Sequence, residues 1–372
     1  VHSYKYGLEY QPIEDFRLRA SFQRAVRAPN VLELFTPAGL GLQAATDPCA
    51  GADPQFSLAQ CENTGVTADQ YGHVIDCPAA QCNALLGGNI NLKPEISNTR
   101  ELGLVFTPTF FQGFTATIDY FDIRLTGAIG IIPYATILSQ CAVTGSPAFC
   151  GLIHRGVGGT LFGSGVGVGY IQDTNLNTGA LQTKGMDFEA NYSTDFASWG
   201  WGDYGGLNFN FLGTWTDEYN NEPYPGAHVY NCAGLFGLTC GTPIPDWRHK
   251  LRVTWTAPWD FDLSFAWRHM SSVALDANTT DATLSGPCGG PCGDKSDATI
   301  GAYDYFDIAT NWTVHEGVQL HAGINNIFDK DPPLLDTNYL GVSSPPYGNG
   351  NTYPQVYDAL GRFVFIGATI KY

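Results

Sequence analysis

Two stretches of the chain have the residue types of ion-binding loops. "DTNLNTG" (Asp173 to Gly179) places oxygen-bearing side chains at its first, third and fifth positions, as a calcium loop does. Its sixth position is Thr178, where a calcium loop needs Gly, and its twelfth is Lys184, where a bidentate Glu belongs. "GSGVGVG" (Gly163 to Gly169) resembles a phosphate loop in glycine content, but no alternating strand and helix pattern surrounds it. Both stretches are therefore interpreted as polar loops.

The residues that could support catalysis or hold a metal are scattered. Five histidines are scattered along the sequence and are interpreted as giving no metal geometry; they are His154, His228, His249, His269 and His321. No Ser, His and acid arrangement has the local context of a nucleophile. The sequence predicts neither an enzyme nor a cofactor or metal site.

Ten cysteines indicate disulfides. All lie in stretches rich in Gly, Pro, Ser or Asn, and they are Cys49, Cys61, Cys77, Cys82, Cys141, Cys150, Cys232, Cys240, Cys288 and Cys292. Pairing within each loop joins Cys141 to Cys150, Cys232 to Cys240 and Cys288 to Cys292, whereas the four cysteines of residues 49–82 allow three connectivities. A zinc site is the alternative, but the CxxC and His pairs it needs are missing. Disulfides imply an oxidising compartment.

The composition favours strands and excludes some partners. Aromatic residues make up 13% of the 372 residues, charged residues only 14%, and there are 44 glycines. The net charge of −17 argues against binding to nucleic acid, which requires clustered Lys and Arg. No apolar run reaches the roughly 18 residues of a membrane-spanning helix. Spanning strands remain possible, because each needs only about 10 alternating residues.

Eleven segments alternate between apolar and polar residues, as strands do. They are residues 3–10, 16–24, 98–106, 114–125, 181–192, 206–219, 247–256, 261–273, 302–314, 318–327 and 361–372. The connections between them alternate between short turns such as "QPIED" and "HEG" and long loops, and the long loops hold all ten cysteines. This alternation is typical of an outer-membrane barrel, with short turns at one end and long loops at the other.

One segment changes phase. In "FTATIDYFDIRL" the apolar positions are Phe114, Ala116, Ile118 and Tyr120, and then switch to Phe121, Ile123 and Leu125. Either a β-bulge near Tyr120 or the emergence of the strand from the bilayer explains the switch.

A soluble sandwich also has alternating strands, so the two folds must be weighed. Strands of about 12 residues and very long loops are unusual in a sandwich. Aromatic residues also lie near the short turns, as in an interfacial girdle; they are Trp199, Trp201, Trp255, Trp259, Trp312 and Tyr372. We therefore predict an all-β fold, a transmembrane antiparallel β-barrel with long extracellular loops and short periplasmic turns. Since bacterial single-chain barrels have an even number of strands, eleven strands suggest that Val1 lies inside a longer protein.

Three stretches resemble the TonB-dependent outer-membrane receptors. They are "RASFQRAVRAPNVLELFTP", "NLKPEISNTRELGLVFTP" and "GINNIFDKDPP", the last followed by "NTYPQVYDALGRFVFIGATIKY". The resemblance implies that residues 1–372 are the C-terminal half of a 22-stranded barrel, without its N-terminal strands and plug domain. It also implies uptake of a scarce solute (an iron chelate, a vitamin or an oligosaccharide) driven through TonB, and a location in the bacterial outer membrane. The implied partners are lipid, the protein's own plug and N-terminal strands, the TonB complex, the barrel assembly machinery and a small-molecule substrate.

Candidate site residues follow from the faces and the loops. Arg17, Arg19, Gln23 and Arg27 are expected to line the lumen as an electropositive strip, towards the plug or an anionic solute. Substrate-binding candidates are Arg27, Tyr219, Tyr224, Tyr230, Tyr339 and Tyr347, to which Tyr353 can be added, although loop packing explains the tyrosines equally well. Tyr372, Ile370 and Ile366 resemble the C-terminal assembly signal of such barrels. The alternatives to energised uptake are a passive porin-like channel or structural barrel and, from another class, a soluble secreted adhesion protein.

Overall fold

The computed structural model describes residues 2–285, 297–335 and 350–371. Strands make up 48% of these residues and helices 12%. Among the helices of these residues, none is both long enough and apolar enough to cross a membrane.

Eleven long strands form one antiparallel sheet in which each strand pairs with the next long strand along the chain. Within the described residues the strands of the whole chain are β1 (Tyr4–Ile13), β2 (Phe16–Arg27), β3 (Gly39–Ala44), β4 (Gln81–Gly87), β5 (Glu95–Phe106), β6 (Phe114–Thr126), β7 (Ile129–Gly130), β8 (Ile153–His154), β9 (Tyr170–Thr174), β10 (Leu176–Asn177), β11 (Ala180–Asp195), β12 (Gly206–Glu222), β13 (Tyr230–Asn231), β14 (Leu235–Phe236), β15 (Trp247–Ala257), β16 (Phe261–Met270), β17 (Val273–Leu275), β18 (Thr299–Ile300), β19 (Tyr303–His315), β20 (Val318–Asn325) and β21 (Phe363–Ile370). The large sheet runs in the order β1-β2-β5-β6-β11-β12-β15-β16-β19-β20-β21, and the short β13 pairs beside β12.

All eleven predicted segments are strands of this sheet, so the predicted strand count is confirmed. Several strands continue past their predicted ends; β2, for example, continues to Arg27 and β12 to Glu222. The side chains there no longer alternate between apolar and polar. Backbone hydrogen bonds to the neighbouring strands extend the ladder regardless, because pairing does not depend on the side-chain pattern.

The sheet has an apolar face and a polar face. On the apolar face, Leu18 of β2 lies opposite Leu104 of β5, which lies opposite Ile118 of β6. On the polar face, one residue further along β2, Arg19 lies in the same row as Asp119 of β6. Successive side chains of a strand point to opposite sides, so the register assigns every side chain of the sheet to one of these faces.

The predicted bulge near Tyr120 is wrong. Strand β6 pairs with β5 and with β11 without any shift of register, and Tyr120 lies opposite Leu102 and Met186. The nearest register shift lies between β11 and β12, where Asp217 of β12 is the extra residue opposite Lys184 and Gly185 of β11. At Tyr120 the chemistry of the faces changes, because the same face that carries Tyr120 continues with Asp122 and Arg124. The structure therefore favours the second explanation, a strand leaving its apolar surroundings.

The long loops form a folded layer of their own, which the sequence analysis did not predict. Its helices are α1 (Val31–Phe35), α2 (Leu58–Asn63), α3 (Tyr134–Thr144), α4 (Pro147–Cys150) and α5 (Ala282–Ser285). Single 3₁₀ turns occur in this layer at Pro78–Ala80, Val157–Gly159 and Asp276–Asn278, and another, Ala197–Trp199, lies in the turn between β11 and β12. Three small sheets, β3-β4-β9-β8, β14-β17-β18 and β10-β7, complete the layer. Local sequence signals explain where two of these helices begin or end. Asn30 and Glu33 form a capping box at the start of α1, and Gly145 ends α3 with a φ of 63°.

Disulfides hold the loop layer together. Cys141 is bonded to Cys150 and Cys232 to Cys240, as predicted. Of the three connectivities open to residues 49–82, the structure has Cys49 bonded to Cys61 and Cys77 to Cys82. The predicted pair Cys288 and Cys292 lies outside the described residues.

A buried ion pair joins the loop after β2 to the loop after β6. The Arg155 guanidinium donates hydrogen bonds to both carboxylate oxygens of Asp47, at 2.6 and 3.1 Å. It also donates to the carbonyl oxygens of Thr64 and Gly159. The two charged side chains are only 4% and 1% exposed. Removing one member of such a pair leaves the other charge buried without a counter-ion.

We predict that Arg155→Met destabilises the loop layer by about 3–5 kcal/mol, because Asp47 would keep a buried, unpaired charge. Hydrogen exchange of residues 47–82 measures the loss. The double variant Arg155→Met/Asp47→Leu is the matched control and should lose less, since it removes both charges. A loss of stability in the double variant that equals or exceeds the loss in Arg155→Met would contradict this account.

Candidate functional site

The polar face of β1, β2, β5 and β6 contains the predicted lumen-facing arginines. Arg19 of β2 reaches across β5 and forms an ion pair with Asp119 of β6, Nε donating to Oδ1 at 2.8 Å. Gly103 of β5 lies between them, and a Cβ at this position would come within 2.1 Å of the Asp119 carboxylate. Glycine is therefore required here for the two side chains to meet over the strand.

The predicted electropositive strip does not form, because each of its arginines has a carboxylate partner. Arg17 lies 3.9 Å from Glu9 and Arg19 is paired with Asp119. Gln23 lies on the same face, two residues beyond Ser21, whose hydroxyl donates to Glu101 at 2.7 Å. The carboxylates come from β1, β5 and β6, and sequence alone could not show that register brings them beside the arginines. The polar face is thus a lattice of paired charges around a cavity of about 640 Å³.

Arg27 occupies the end of β2 that leads into the loops. Its Nε donates to Glu95 at 2.5 Å, and its two terminal nitrogens contact the Glu33 carboxylate at 3.1 Å. Glu33 in turn caps α1, and Glu95 accepts from the backbone N–H of Ile129 at 2.7 Å. Arg27 therefore ties a loop helix to the sheet, and its predicted role in substrate binding stays a prediction.

A second cavity of about 840 Å³ lies on the polar face of β15, β16 and β19. Lys250 and Arg252 of β15 line it, and neither forms an ion pair within residues 2–285, 297–335 and 350–371. Alternation of Leu251 and Val253 with Arg252 is enough to place Arg252 on the polar face. The sequence does not indicate that residues just before β21, which are remote from β15 in the chain, also line the cavity.

Arg268 of β16 fastens that remote segment to the sheet. It donates to Asp307 of β19 at 2.8 and 2.9 Å and to Asp358, in the segment before β21, at 3.0 and 2.6 Å. Its guanidinium also lies 4.9 Å from the centre of the Tyr305 ring. Tyr305 accepts a hydrogen bond from the backbone N–H of Asp358. Two bidentate pairs on one guanidinium fix both the position and the orientation of this segment.

Most of the candidate tyrosines that are described pack inside the loop layer. Tyr230 and Tyr353 are buried, and Tyr224 packs edge-on against Phe149 with ring centres 4.9 Å apart. Burial raises the pKa of the Tyr353 phenol to about 12. Tyr219 is different, because its ring is exposed on the polar face of β12. The structure thus favours loop packing for Tyr224, Tyr230 and Tyr353, and Tyr339 and Tyr347 lie outside the described residues.

Two of the scattered histidines are neighbours in the fold. His249 of β15 stacks on His269 of β16 with ring centres 5.0 Å apart. Trp247 donates to His249 at 2.8 Å, and His269 hydrogen-bonds to Asp304 at 2.7 Å. Within the described part of the chain, no three His, Cys, Asp or Glu side chains could together hold a metal ion. The pair belongs to the aromatic rim of the apolar face.

The last strand has its predicted faces. Ile366 and Ile370 are exposed on the apolar face, while Gly367 faces the His321 ring on the polar face. Tyr372, the third residue of the predicted assembly signal, lies outside the described residues.

Comparison with known families identifies this sheet. The model described as "TonB dependent receptor-like, beta-barrel" matches residues 1–327. The chain belongs to the TonB-dependent receptor family. In a TonB-dependent receptor the sheet is barrel wall, with its apolar face outward and its polar face towards the lumen. No curated protein sequence matches the chain.

Solved structures of TonB-dependent receptors share the fold. A ferric enterobactin receptor mutant of Pseudomonas aeruginosa, PfeA R480A, has a TM-score of 0.60 at 17% identity over 100% of this chain and 40% of its own. The siderophore receptor PirA of Acinetobacter baumannii has a TM-score of 0.55 at 14% identity, over 100% of this chain and 41% of its own. The FrpB iron transporter of Neisseria meningitidis has a TM-score of 0.51 at 12% identity, over 100% of this chain and 39% of its own. The chain therefore spans about 40% of the length of the receptor PfeA.

We predict that Arg268→Ala releases the segment before β21, because Asp307 and Asp358 would lose the cation that bridges them. The expected result is faster hydrogen exchange in residues 350–362, with exchange in β16 and β19 nearly unchanged. Arg252→Ala removes the same charge from the same face but breaks no ion pair, so it is the matched control. Similar exchange in both variants would show that the bridge does not hold the segment.

Proposed function

We propose that this chain forms the C-terminal half of the barrel of an outer-membrane receptor that takes up a scarce solute with energy relayed by TonB. The observation that carries the proposal is the match of the receptor barrel family over residues 1–327. The family consists of receptors and transporters rather than enzymes, which agrees with the lack of a predicted catalytic site.

The proposal gives the two edges of the sheet a partner. Strands β1 and β21 are the first and last of the eleven strands, and both present apolar side chains on the outward face. Unpaired backbone groups at a sheet edge are costly inside a bilayer, so barrels close on themselves. We infer that further N-terminal strands join β1 to β21 and that a plug domain fills the lumen. The other proposed partners are the TonB complex, outer-membrane lipid and the barrel assembly machinery.

An iron chelate is the first candidate for the solute, before a vitamin or an oligosaccharide. The three similar structures are described as receptors or transporters for ferric enterobactin, a siderophore and iron. The lumen cavity with Lys250 and Arg252 supports an anionic chelate, because these two cations have no ion-pair partner among the described residues. Tyr219 adds an exposed ring on the same polar face.

We predict that deletion of the full-length protein lowers energised uptake of at least one iron chelate. Radiolabelled uptake by deletion and complemented strains, compared across iron chelates, vitamins and oligosaccharides, measures the effect. A full-length Lys250→Gln/Arg252→Gln variant should take up an anionic chelate more slowly, because the cavity would lose both of its unpaired charges. Gln23→Glu/Gln319→Glu makes the same net charge change on the polar face of β2 and β20, outside this cavity, and controls for altered lumen charge.

The same strains separate this proposal from its alternatives. Uptake through a TonB-dependent receptor should stop when an uncoupler removes the proton-motive force or when TonB is deleted. Uptake that continues under both conditions would instead indicate a passive channel. A protein that stays in solution without detergent would indicate the soluble adhesion alternative, and no uptake defect with any solute would contradict the import proposal.

A further inference from the structure

Three arginines lie together on the outward face of the sheet, directly beyond its apolar rows. We call Arg24 of β2, Arg100 of β5 and Arg124 of β6 the arginine patch. The register places Arg24 opposite Asn98 and Asn98 opposite Arg124, with Arg100 in the adjacent row. All three line one cavity of about 480 Å³, together with Tyr4 and Gln182. The patch lies at the end of the strands that leads into the long loops.

The arginine patch has little internal neutralisation. Across the described residues, no acidic side chain forms an ion pair with any of the three guanidinium groups, although the chain has a net charge of −17. Asp122 lies among them, but its Oδ1 accepts a hydrogen bond from Gln182 at 2.6 Å. Beside the patch, Lys184 is paired with Glu218 at 2.8 Å. On the polar face, by contrast, Arg17, Arg19 and Arg268 each have a carboxylate partner.

An apolar groove continues from the patch along the outward face. Arg100 lines both the patch cavity and the next one, which also contacts Tyr6, Leu8 and Ala20. That second cavity, of about 520 Å³, shares Leu8, Ala20 and Leu102 with a third of about 600 Å³. Leu18, Leu104 and Ile118 line the third cavity. The small side chain of Ala20 leaves the groove open between larger neighbours on β1 and β5.

We propose that the arginine patch and this groove bind a phosphorylated lipid, with its phosphate on Arg24, Arg100 and Arg124 and an acyl chain over Ala20. Guanidinium groups bind phosphate through paired hydrogen bonds, and the donors here are free to do so. The cationic cavity lies where the outward face changes from apolar to charged, which is where a headgroup lies when its chains are in the bilayer. A soluble phosphate compound could bind to the arginine patch, but it has no acyl chain to lie in the apolar groove.

This inference rests on the outward face meeting lipid, which is part of the proposed function, but it does not depend on which solute is taken up. Its test therefore measures lipid binding and not uptake. The full-length protein, purified in a neutral detergent, is titrated with mixed micelles containing phosphatidic acid. Phosphatidylcholine micelles and inorganic phosphate are the comparison ligands. We expect the wild-type protein to bind the phosphatidic acid micelles most tightly.

The triple variant Arg24→Gln/Arg100→Gln/Arg124→Gln should bind phosphatidic acid roughly 100-fold more weakly, at about fivefold for each arginine. The matched control Lys5→Gln/Arg17→Gln/Arg248→Gln makes the same charge change on the polar face and should bind like wild type. The triple Arg→Lys variant keeps the charge and should retain most of the affinity. Heat-modifiable gel migration confirms that each variant is folded.

A fourth variant distinguishes binding of the whole lipid from binding of its phosphate group alone. Ala20→Leu fills the groove and should weaken binding of phosphatidic acid while leaving any binding of inorganic phosphate unchanged. If inorganic phosphate competes as well as the lipid does, the patch is a site for the free anion and the lipid proposal is wrong. Equal lipid binding by wild type and by the triple Arg→Gln variant would also overturn it.

Discussion

Continuous cross-strand register is the constraint on which the rest of this structure depends. From β2 through β6 to β11, each residue of one strand lies opposite one residue of the next without a shift. Because side chains alternate between the faces, a slip of one residue would exchange the lumen set and the outward set of a whole strand. The pairing of Arg19 with Asp119 across Gly103 requires three strands in the correct register at once. The extra residue at Asp217 lies near the loop end of β12, and the two other register shifts of the sheet lie beside the short turns that join β1 to β2 and β19 to β20.

A barrel wall has no hydrophobic core of its own, and this explains how the loops are built. The four clusters of buried apolar residues lie mostly in the loop layer, around residues such as Ile137, Phe236 and Val74. The side chains of the sheet instead face lipid on one side and the lumen on the other. Since each loop core is small, disulfides and the buried Arg155 and Asp47 pair supply fixed contacts that the apolar clusters alone could not. This explains why the eight described cysteines lie outside the eleven long strands of the large sheet.

Sequence reasoning located the strands well and the partners of their side chains poorly. Alternation is local, so residues such as Leu207, Phe209 and Phe211 could be placed on one face without knowledge of their neighbours. The partners of Arg19 and Arg268 lie 100 and 90 residues away, and no local pattern encodes them. The loop helices were missed because they are short and carry weak periodicity. Tyr230 and Tyr353 were candidates for ligand stacking because their type suited it, whereas their burial depends on loop contacts that sequence does not show.

The phase change at Tyr120 shows how one sequence signal can be misassigned and still be informative. A bulge shifts the register, whereas a strand that passes from apolar to charged surroundings keeps its register and changes only the residue types on each face. In β6 the register is continuous, and the outward positions change from Ile118 and Tyr120 to Asp122 and Arg124. The same change occurs in β5 between Leu102 and Arg100, and in β2 between Phe22 and Arg24. Neighbouring strands that make the same change at nearly the same row mark a boundary of the environment, and charged side chains at such a boundary need a counterpart outside the sheet.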